Sequence, residues 1–139
     1  ICEALYGYIP SNNRSQLTET QDNHLIVDAY NANPTSMMAA LENFRLMEVS
    51  HKVAILGDMK ELGEGSVDEH RKIVSFLEGC GFERIILVGD EFGKANSGFE
   101  WYKNTDDLKA KISEEKISGK FVLIKGSNSM KLAPLKDIL

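Results

Sequence analysis

The fold is decided by an unbroken apolar run that ends in a glycine and a carboxylate, Val53-Ala54-Ile55-Leu56-Gly57-Asp58. Three similar apolar runs lie at wide spacing along the chain: Leu25-Ile26-Val27, Ile85-Ile86-Leu87-Val88 and Phe121-Val122-Leu123-Ile124. Apolar residues that follow one another without alternation are typical of strands buried on both faces of a parallel sheet. The four runs therefore predict the central strands of such a sheet.

Longer amphipathic stretches separate these runs and predict helices over about residues 34–47, from 66 to a stop at Gly79 or Gly81, and over about 105–115. Asn33 suits the cap of the first helix, Ser66 and Glu69 form a capping box at the second, and Thr105 suits the cap of the third. Strands that alternate with helices imply crossover connections. The predicted fold class is α/β, with a Rossmann-like doubly wound, mostly parallel sheet of five or six strands flanked by helices.

The two ends of the chain differ from this centre. A possible strand at 15–20 predicts an edge hairpin or a segment leading into the sheet, and 130–139 suit a short helix that Pro134 would kink or break. Trp101 is predicted to pack in the core or on an edge strand. There is no internal repeat, low-complexity tract or linker, so 1–139 are predicted to form a single domain.

Composition and charge exclude several classes of protein. Lys and Arg number 16 against 21 Asp and Glu, which gives a formal net charge of −5, and no basic run favours a nucleic-acid partner. No apolar stretch approaches the ~20 residues of a membrane-spanning helix. Cys2 and Cys80 fit no metal-ligand spacing and are predicted to be reduced thiols in a cytoplasmic protein, with a disulfide as the minor alternative. Because Ile1 is not Met, we expect the chain to be part of a longer protein.

Several catalytic and cofactor motifs are absent from the sequence. It has no G-x-x-x-x-G-K-[ST] loop and no G-x-G-x-x-G turn, which disfavours a self-sufficient NTPase and a dinucleotide-binding domain. His24, His51 and His70 are scattered, so no metal site is predicted, and His70 is expected to be a structural hydrogen-bonding residue. Ser66 and Ser127 lack the Gly-x-Ser-x-Gly elbow of α/β-hydrolases. No catalytic residue is assigned.

Polar residues follow each apolar run directly. In an open parallel sheet, ligands bind outside the carboxyl ends of the strands, where loops converge and helix N-termini present N–H groups. We therefore expect Asp28, Gly57, Gly89 and Gly126 to lie at one edge of the sheet. The residues around them include carboxylates, amides, a lysine and glycines, which suit a polar ligand with hydroxyl, phosphate or carboxylate groups.

The residues after the first apolar run carry a family resemblance. Asp28-Ala29-Tyr30-Asn31-Ala32-Asn33-Pro34-Thr35-Ser36-Met37 resembles the signature of the C-terminal domain of the Mur ligases, and within them of the members that add D-alanyl-D-alanine. Leu56-Gly57-Asp58-Met59-Lys60-Glu61-Leu62-Gly63, followed by His70, resembles a second motif of those members, and Lys125-Gly126-Ser127 resembles a late one. The order and spacing of the motifs fit along the whole chain.

The resemblance implies a three-domain enzyme of peptidoglycan precursor synthesis. In this family the N-terminal domain binds the UDP-N-acetylmuramoyl-tripeptide, and the central domain holds ATP and Mg²⁺ in a phosphate loop. The C-terminal domain closes over the nucleotide and brings in the incoming D-alanyl-D-alanine. ATP activates the tripeptide carboxylate as an acyl phosphate, which the dipeptide amine attacks. The resemblance thus places the missing phosphate loop in another domain, and this chain is expected to be inactive alone.

The resemblance implies four nucleotide-binding residues. Asp28 matches the strand-end carboxylate that the family places on the ribose, with a helix-dipole role as the alternative. Arg14 lies where the family has an arginine that meets ATP on domain closure, and the alternative is a solvated surface arginine. Asn31 and Asn33 have amides suited to an adenine edge or a peptide group, although Asn33 is also the predicted N-cap.

The other strand ends supply four candidate substrate-binding residues. Asp58, with Lys60, is expected either to contact the dipeptide or to stabilise its loop. Lys125 is expected to pair with a phosphate or with the dipeptide carboxylate, and a lysine that extends into solvent is the alternative. Ser127 and Asn128 would extend that site, although Asn128 stands where the family often has an arginine.

A second hypothesis belongs to a different functional class. The chain could be a stand-alone nucleotide- or metabolite-binding module with a Rossmann-like sheet and no catalysis of its own. The two hypotheses differ in the length of the parent protein. A phosphate loop and a further ~300 upstream residues favour the ligase, because a ligase needs domains that this chain lacks.

Overall fold

The computed structural model describes residues 16–19, 23–28, 34–59, 63–95, 98–126, 132 and 135. Six strands are present in this part of the chain: β1 (Gln16–Glu19), β2 (His24–Asp28), β3 (Lys52–Gly57), β4 (Arg84–Val88), β5 (Glu100–Tyr102) and β6 (Phe121–Lys125). The helices are α1 (Pro34–Leu46), α2 (Ser66–Glu78), α3 (Asp90–Ala95) and α4 (Thr105–Glu114), and a 3-10 turn at Gly63–Gly65 precedes α2.

The six strands form one sheet in the order β1-β2-β6-β3-β4-β5. Strands β2 to β6 run parallel to one another, and β1 is an antiparallel edge strand beside β2. The predicted mostly parallel α/β sheet is therefore confirmed, with six strands. The edge strand predicted over 15–20 is confirmed as Gln16–Glu19.

Helices cover both faces of this sheet. The apolar sides of α1, α2 and α3 pack in one core, and α4 packs in a second core with Ile117, Leu132 and Leu135. From β2 to β5 the connecting helices α1, α2 and α3 lie on one face of the sheet. The return connection from β5 to β6 runs through α4 on the opposite face. Because crossovers are right-handed, a reversal of direction moves the connecting helix to the opposite face.

Strand β3 shows why its sequence is continuously apolar. Ala54 and Leu56 lie in the first core, whereas Val53 and Ile55 lie in the second, and all four are fully buried. Successive side chains of a strand point to opposite faces, so a strand covered on both sides needs apolar residues at every position.

The predicted capping box of the second helix is wrong. The N-cap of α2 is Gly65, and no side chain caps the helix. The Ser66 hydroxyl instead donates to Glu91 Oε1 at 2.5 Å, and Glu69 pairs with Lys72 at 3.1 Å. A tertiary contact with α3 therefore takes the hydroxyl that a local cap would have used.

The predicted cap of the third helix is displaced by one residue. Asn104 is the N-cap of α4, and its Oδ1 accepts the Asp107 N–H at 2.8 Å. Thr105 is the first helical residue and is buried. Asn is at least as good an N-cap as Thr, so local chemistry permits the earlier start.

Two short elements were not predicted from the sequence. Helix α3 has six residues and β5 has three, too few to show a hydrophobic period. Trp101 lies on β5, which confirms its expected place on an edge strand. Most of the predicted C-terminal helix lies outside the described residues. In the described part of the chain, no helix has both the length and the apolar character needed to cross a membrane.

Candidate functional site

The carboxyl ends of four parallel strands meet at one edge of the sheet. In the strand register, Asp28 of β2 is beside Lys125 of β6, and Lys125 is beside Leu56 of β3. Gly57, the last residue of β3, is beside Val88 of β4. The expected grouping of Asp28, Gly57, Gly89 and Gly126 at one edge is thereby confirmed, since Gly89 and Gly126 directly follow β4 and β6.

Gly126 allows two strand ends to approach closely. A Cβ atom added there would lie 3.0 Å from the Gly57 Cα and 2.6 Å from a Leu132 methyl group. A side chain at this position would therefore separate β6 from β3 at the edge where the candidate residues lie.

Lys125 is buried at this edge. Only 1% of it is exposed, at the end of a strand flanked on both sides. The alternative of a lysine extending into solvent is therefore wrong. A lysine is almost never fully buried unless its ammonium has a polar or charged partner. Lys125 is therefore held inside the fold at the carboxyl end of β6.

Asp58 follows β3 and is also buried, with 1% of it exposed. Its Oδ1 accepts the Phe92 N–H and its Oδ2 accepts the Glu91 N–H, each at 3.0 Å. Its own N–H donates to the Val88 carbonyl at 3.1 Å. Asp58 therefore links β3 to β4 and binds the first turn of α3, where the helix dipole favours a negative charge. This geometry gives the carboxylate the loop-stabilising role that was one of its two expectations.

Gly89 lies directly against the Asp58 carboxylate. Its φ of 117° lies in the region that favours glycine, and an added Cβ would lie 2.3 Å from the Asp58 Cγ. Its carbonyl accepts the Trp101 Nε1–H at 2.7 Å, and its N–H donates to the Tyr102 carbonyl at 2.9 Å. The glycine after β4 thus lets the carboxylate reach the start of α3.

His70 lies below this edge and is fully buried. Its Nε2 accepts the Met59 N–H at 3.0 Å, and its Nδ1 lies 2.6 Å from the Ser66 carbonyl. We assign the neutral tautomer with the proton on Nδ1, because an N–H requires an acceptor and a carbonyl requires a donor. The ring packs edge-on against Phe92 with centroids 4.6 Å apart. The expectation of a structural hydrogen-bonding residue is confirmed.

Glu91 adds a carboxylate that was not among the predicted site residues. The hydrogen bond from the Ser66 hydroxyl is the main cause that lowers the pKa of Glu91, and Lys94, 3.4 Å away, lowers it further. The carboxylate is therefore ionised near neutral pH. Its position directly after the third apolar run was visible in the sequence, but its partner Ser66 is 25 residues away along the chain.

The described residues cover part of the predicted site. Asp28 is described by its backbone position at the end of β2. Five candidates lie outside the described residues: Arg14, Asn31, Asn33, Ser127 and Asn128. The structure brings Asp58 and Lys125 to the same edge on neighbouring strands. Their contacts with a ligand, and those of the other six, stay predictions.

Carboxylates such as Asp58 at this edge are the side chains that Mg²⁺ prefers as ligands. Among the described residues, no group of three or more His, Cys, Asp or Glu side chains could hold a metal ion. Mg²⁺ is usually held by one or two carboxylates, waters and substrate phosphates. Asp58 accepts one N–H group of α3 on each carboxylate oxygen and belongs to no group of metal-ligating side chains, so the described residues do not fit a Mg²⁺ site of their own.

Comparisons with known proteins agree with the resemblance of the motifs. A model of the family "Mur ligase, glutamate ligase domain" matches residues 13–128. A UDP-N-acetylmuramoyl-tripeptide–D-alanyl-D-alanine ligase of Rickettsia prowazekii is 31% identical over 130 residues, which cover 89% of this chain and 29% of that protein. The Bacillus subtilis ligase of the same name is 30% identical over 149 residues, which cover 99% of this chain and 33% of that protein. The chain thus spans about a third of the relatives it matches.

Solved structures share the fold. A MurF crystal structure from Acinetobacter baumannii matches with a TM-score of 0.77 and 26% identity, covering 93% of this chain and 30% of that one. A MurF ligase from Thermotoga maritima, solved in complex with ADP, matches with a TM-score of 0.75 and 22% identity, covering 94% of this chain and 30% of that one. The second match shows the fold alone.

Proposed function

We propose a function from the premise that this chain belongs to the Mur ligase family and corresponds to the family's C-terminal, glutamate ligase domain. In the proposal it is the C-terminal domain of an ATP-dependent ligase. That ligase adds D-alanyl-D-alanine to UDP-N-acetylmuramoyl-tripeptide in peptidoglycan precursor synthesis. The observation that carries the proposal is the register of β2 and β6. It places Asp28, from the first family motif, beside Lys125, from the last.

The proposed role of this domain is to bind ATP and the dipeptide and to position them for the reaction. Asp28, Arg14, Asn31 and Asn33 contact ATP held by a central domain, with Asp28 on the ribose hydroxyl groups. A carboxylate can accept two hydroxyl hydrogen bonds, which supports this assignment. Mg²⁺ is held mainly by the central domain, whose phosphate loop this chain lacks.

The dipeptide is proposed to bind at the end of β6. Lys125 pairs with its carboxylate or with a phosphate, and Ser127 and Asn128 extend the site. The location of Lys125 supports this, because it ends β6 at the edge where the carboxyl ends of the strands meet, and ligands of open parallel sheets bind outside those ends. Asp58, with its carboxylate on the N–H groups of α3, is proposed to act on the dipeptide through the loop that it holds.

The chemistry joins two substrates through an acyl phosphate. The tripeptide carboxylate takes the γ-phosphoryl group of ATP and releases ADP. The dipeptide amine then attacks the activated carbonyl carbon, an amide bond forms, and phosphate leaves. Such transfers depend on positioning and on neutralisation of phosphate charge. This domain supplies positioning, which is why no catalytic residue is assigned to it.

The proposed location is the cytoplasm, with no nucleic-acid partner. The net charge of −5 disfavours phosphate-backbone binding. The thiol of Cys80 is free among the described residues, which agrees with a reducing compartment.

A ligation assay on the full-length protein that contains this chain tests the proposal. Purified protein with UDP-N-acetylmuramoyl-tripeptide, ATP, Mg²⁺ and D-alanyl-D-alanine should form the UDP-linked pentapeptide and release one phosphate per product. Mass spectrometry of the product and a phosphate assay measure both. Reactions that omit ATP or the dipeptide are the controls. A folded full-length protein that forms no pentapeptide would overturn the proposal and favour the stand-alone binding module.

A further inference from the structure

His70 is a buried titratable group that the proposed chemistry does not use. Both ring nitrogens have backbone partners, the Met59 N–H and the Ser66 carbonyl. These partners belong to different segments, since Met59 follows β3 and Ser66 begins α2. One side chain therefore connects the carboxyl edge of the sheet to the helix that comes next along the chain.

The contacts of His70 are part of a closed hydrogen-bonded ring, which we call the edge ring. Met59 donates to His70, and His70 donates to the Ser66 carbonyl. The Ser66 hydroxyl donates to Glu91, and the Glu91 N–H donates to Asp58. The peptide bond between Asp58 and Met59 closes the ring. The carboxyl end of β3, the start of α2 and the start of α3 are thereby fixed relative to one another.

The Met59 N–H is a buried donor, and among the described residues its acceptor is the His70 imidazole. Met59 is 1% exposed, so its N–H has no access to bulk water. A buried N–H without an acceptor costs far more than the small net gain of a satisfied bond. The imidazole Nε2 is the acceptor that allows the chain to leave β3 in this direction.

We infer that His70 is a positioning residue for the dipeptide site. It holds the start of the loop after β3, and with it the Asp58 carboxylate, at the edge where the dipeptide is proposed to bind. It makes no contact with substrate in this role, and the inference rests on the proposed function. Loss of the acceptor at Nε2 should loosen residues 58–59 and the turn at 63–65 and weaken dipeptide binding, while the sheet and the first core remain.

Three variants of the full-length ligase test this inference. His70→Phe keeps a ring against Phe92 but removes both polar contacts. His70→Gln places an amide oxygen near the position of Nε2 and restores an acceptor. Val74→Ala is the matched control, because Val74 lies one turn further along α2 and packs in the first core outside the edge ring.

For His70→Phe we expect the KM for D-alanyl-D-alanine to rise roughly tenfold or more, with a similar rise in amide hydrogen exchange at residues 58–59 and 63–65. His70→Gln should recover most of both. Val74→Ala should lower the melting temperature without changing either readout. The KM for UDP-N-acetylmuramoyl-tripeptide should stay unchanged in all three variants. If His70→Phe does not fold, His70→Asn replaces it, since its shorter amide cannot reach the Met59 N–H.

A loss of kcat that is fully explained by a lower melting temperature, with unchanged dipeptide KM and unchanged exchange at 58–59 and 63–65, would overturn the inference. So would equal effects of His70→Phe and Val74→Ala. Failure of the proposed function looks different, because the wild-type protein would then form no pentapeptide. The exchange comparison does not need ligation activity and would still decide the role of His70 in holding the loop.

Discussion

At the scale of single residues, the site edge depends on a glycine that faces a carboxylate. Replacing Gly89 with Ala puts a Cβ at 2.3 Å from the Asp58 Cγ and places a side chain at a φ of 117°. The strain and the displaced Asp58 contacts should together lower the free energy of unfolding by about 3 kcal/mol or more. Urea unfolding of the 139-residue chain measures this.

Gly81→Ala is the matched control for that change. Gly81 has a φ of 70° but no atom within 4 Å of an added Cβ, so it isolates the backbone strain. We expect it to cost about 1–2 kcal/mol. Equal losses for the two variants would show that the contact between Gly89 and Asp58 adds nothing.

Asp28 carries the functional prediction at this scale. In the full-length ligase, Asp28→Asn should impair turnover more than folding, because the amide keeps the packing but loses a charge-assisted hydrogen bond worth roughly 1.5–3 kcal/mol. A ten- to hundredfold rise in the apparent KM for ATP is expected, with tripeptide binding nearly intact. Steady-state kinetics and a melting curve measure both. If the variant has wild-type kinetics, the role of Asp28 is the alternative one, an interaction with the dipole of the helix that follows it.

At the scale of elements, an ion pair fastens the short edge strand β5 to β4. Arg84 donates two hydrogen bonds to Glu100, each at 2.8 Å, and Tyr102 donates a further one to Glu100. The bonds from Arg84 are the main cause that lowers the pKa of Glu100 below its usual 4.5. Burial, followed by the bond to Glu100, raises the pKa of Tyr102 to about 12. The ion pair thus adds a side-chain link between β4 and an edge strand that has only three residues for backbone pairing.

The lowered pKa of Glu100 predicts a pH dependence. A carboxyl whose pKa is lower in the folded state stabilises the fold above its unfolded pKa, and that contribution disappears as the pH falls through the folded pKa. Glu100→Gln should therefore cost about 1 kcal/mol near pH 7, since the pair is partly exposed. The difference from wild type should close below pH 4.5. Melting curves at several pH values measure it, and a difference that persists in acid would contradict the prediction.

At the scale of the whole molecule, the two cores and the site edge belong to a domain that is proposed to work with others. The sequence has no phosphate loop, and the described residues offer no group that could hold a metal ion. The isolated chain should therefore hydrolyse no ATP and bind it more weakly than micromolar affinity. Calorimetric titration and a phosphate-release assay measure these properties. Micromolar or tighter binding by the 139-residue chain would contradict the prediction and favour a stand-alone module.

The sequence by itself determined the parallel sheet and the edge at which its strands end. A strand buried on both faces must be apolar at every position, so the runs that contain Leu25, Val53, Ile85 and Phe121 could be recognised without coordinates. The same reasoning placed polar residues such as Asp58 and Lys125 at the carboxyl edge. Local patterns were sufficient there because each run carries its own signal.

Only the tertiary structure decided what the polar side chains bind. Ser66 contacts Glu91 rather than capping its own helix, and Asp58 binds the first turn of α3. The six-residue helix α3 has too few residues to show a period, and its partners are 25 and 33 residues away along the chain. Hydrogen bonds between distant segments leave no local pattern, because they depend on how the strands are ordered in the sheet.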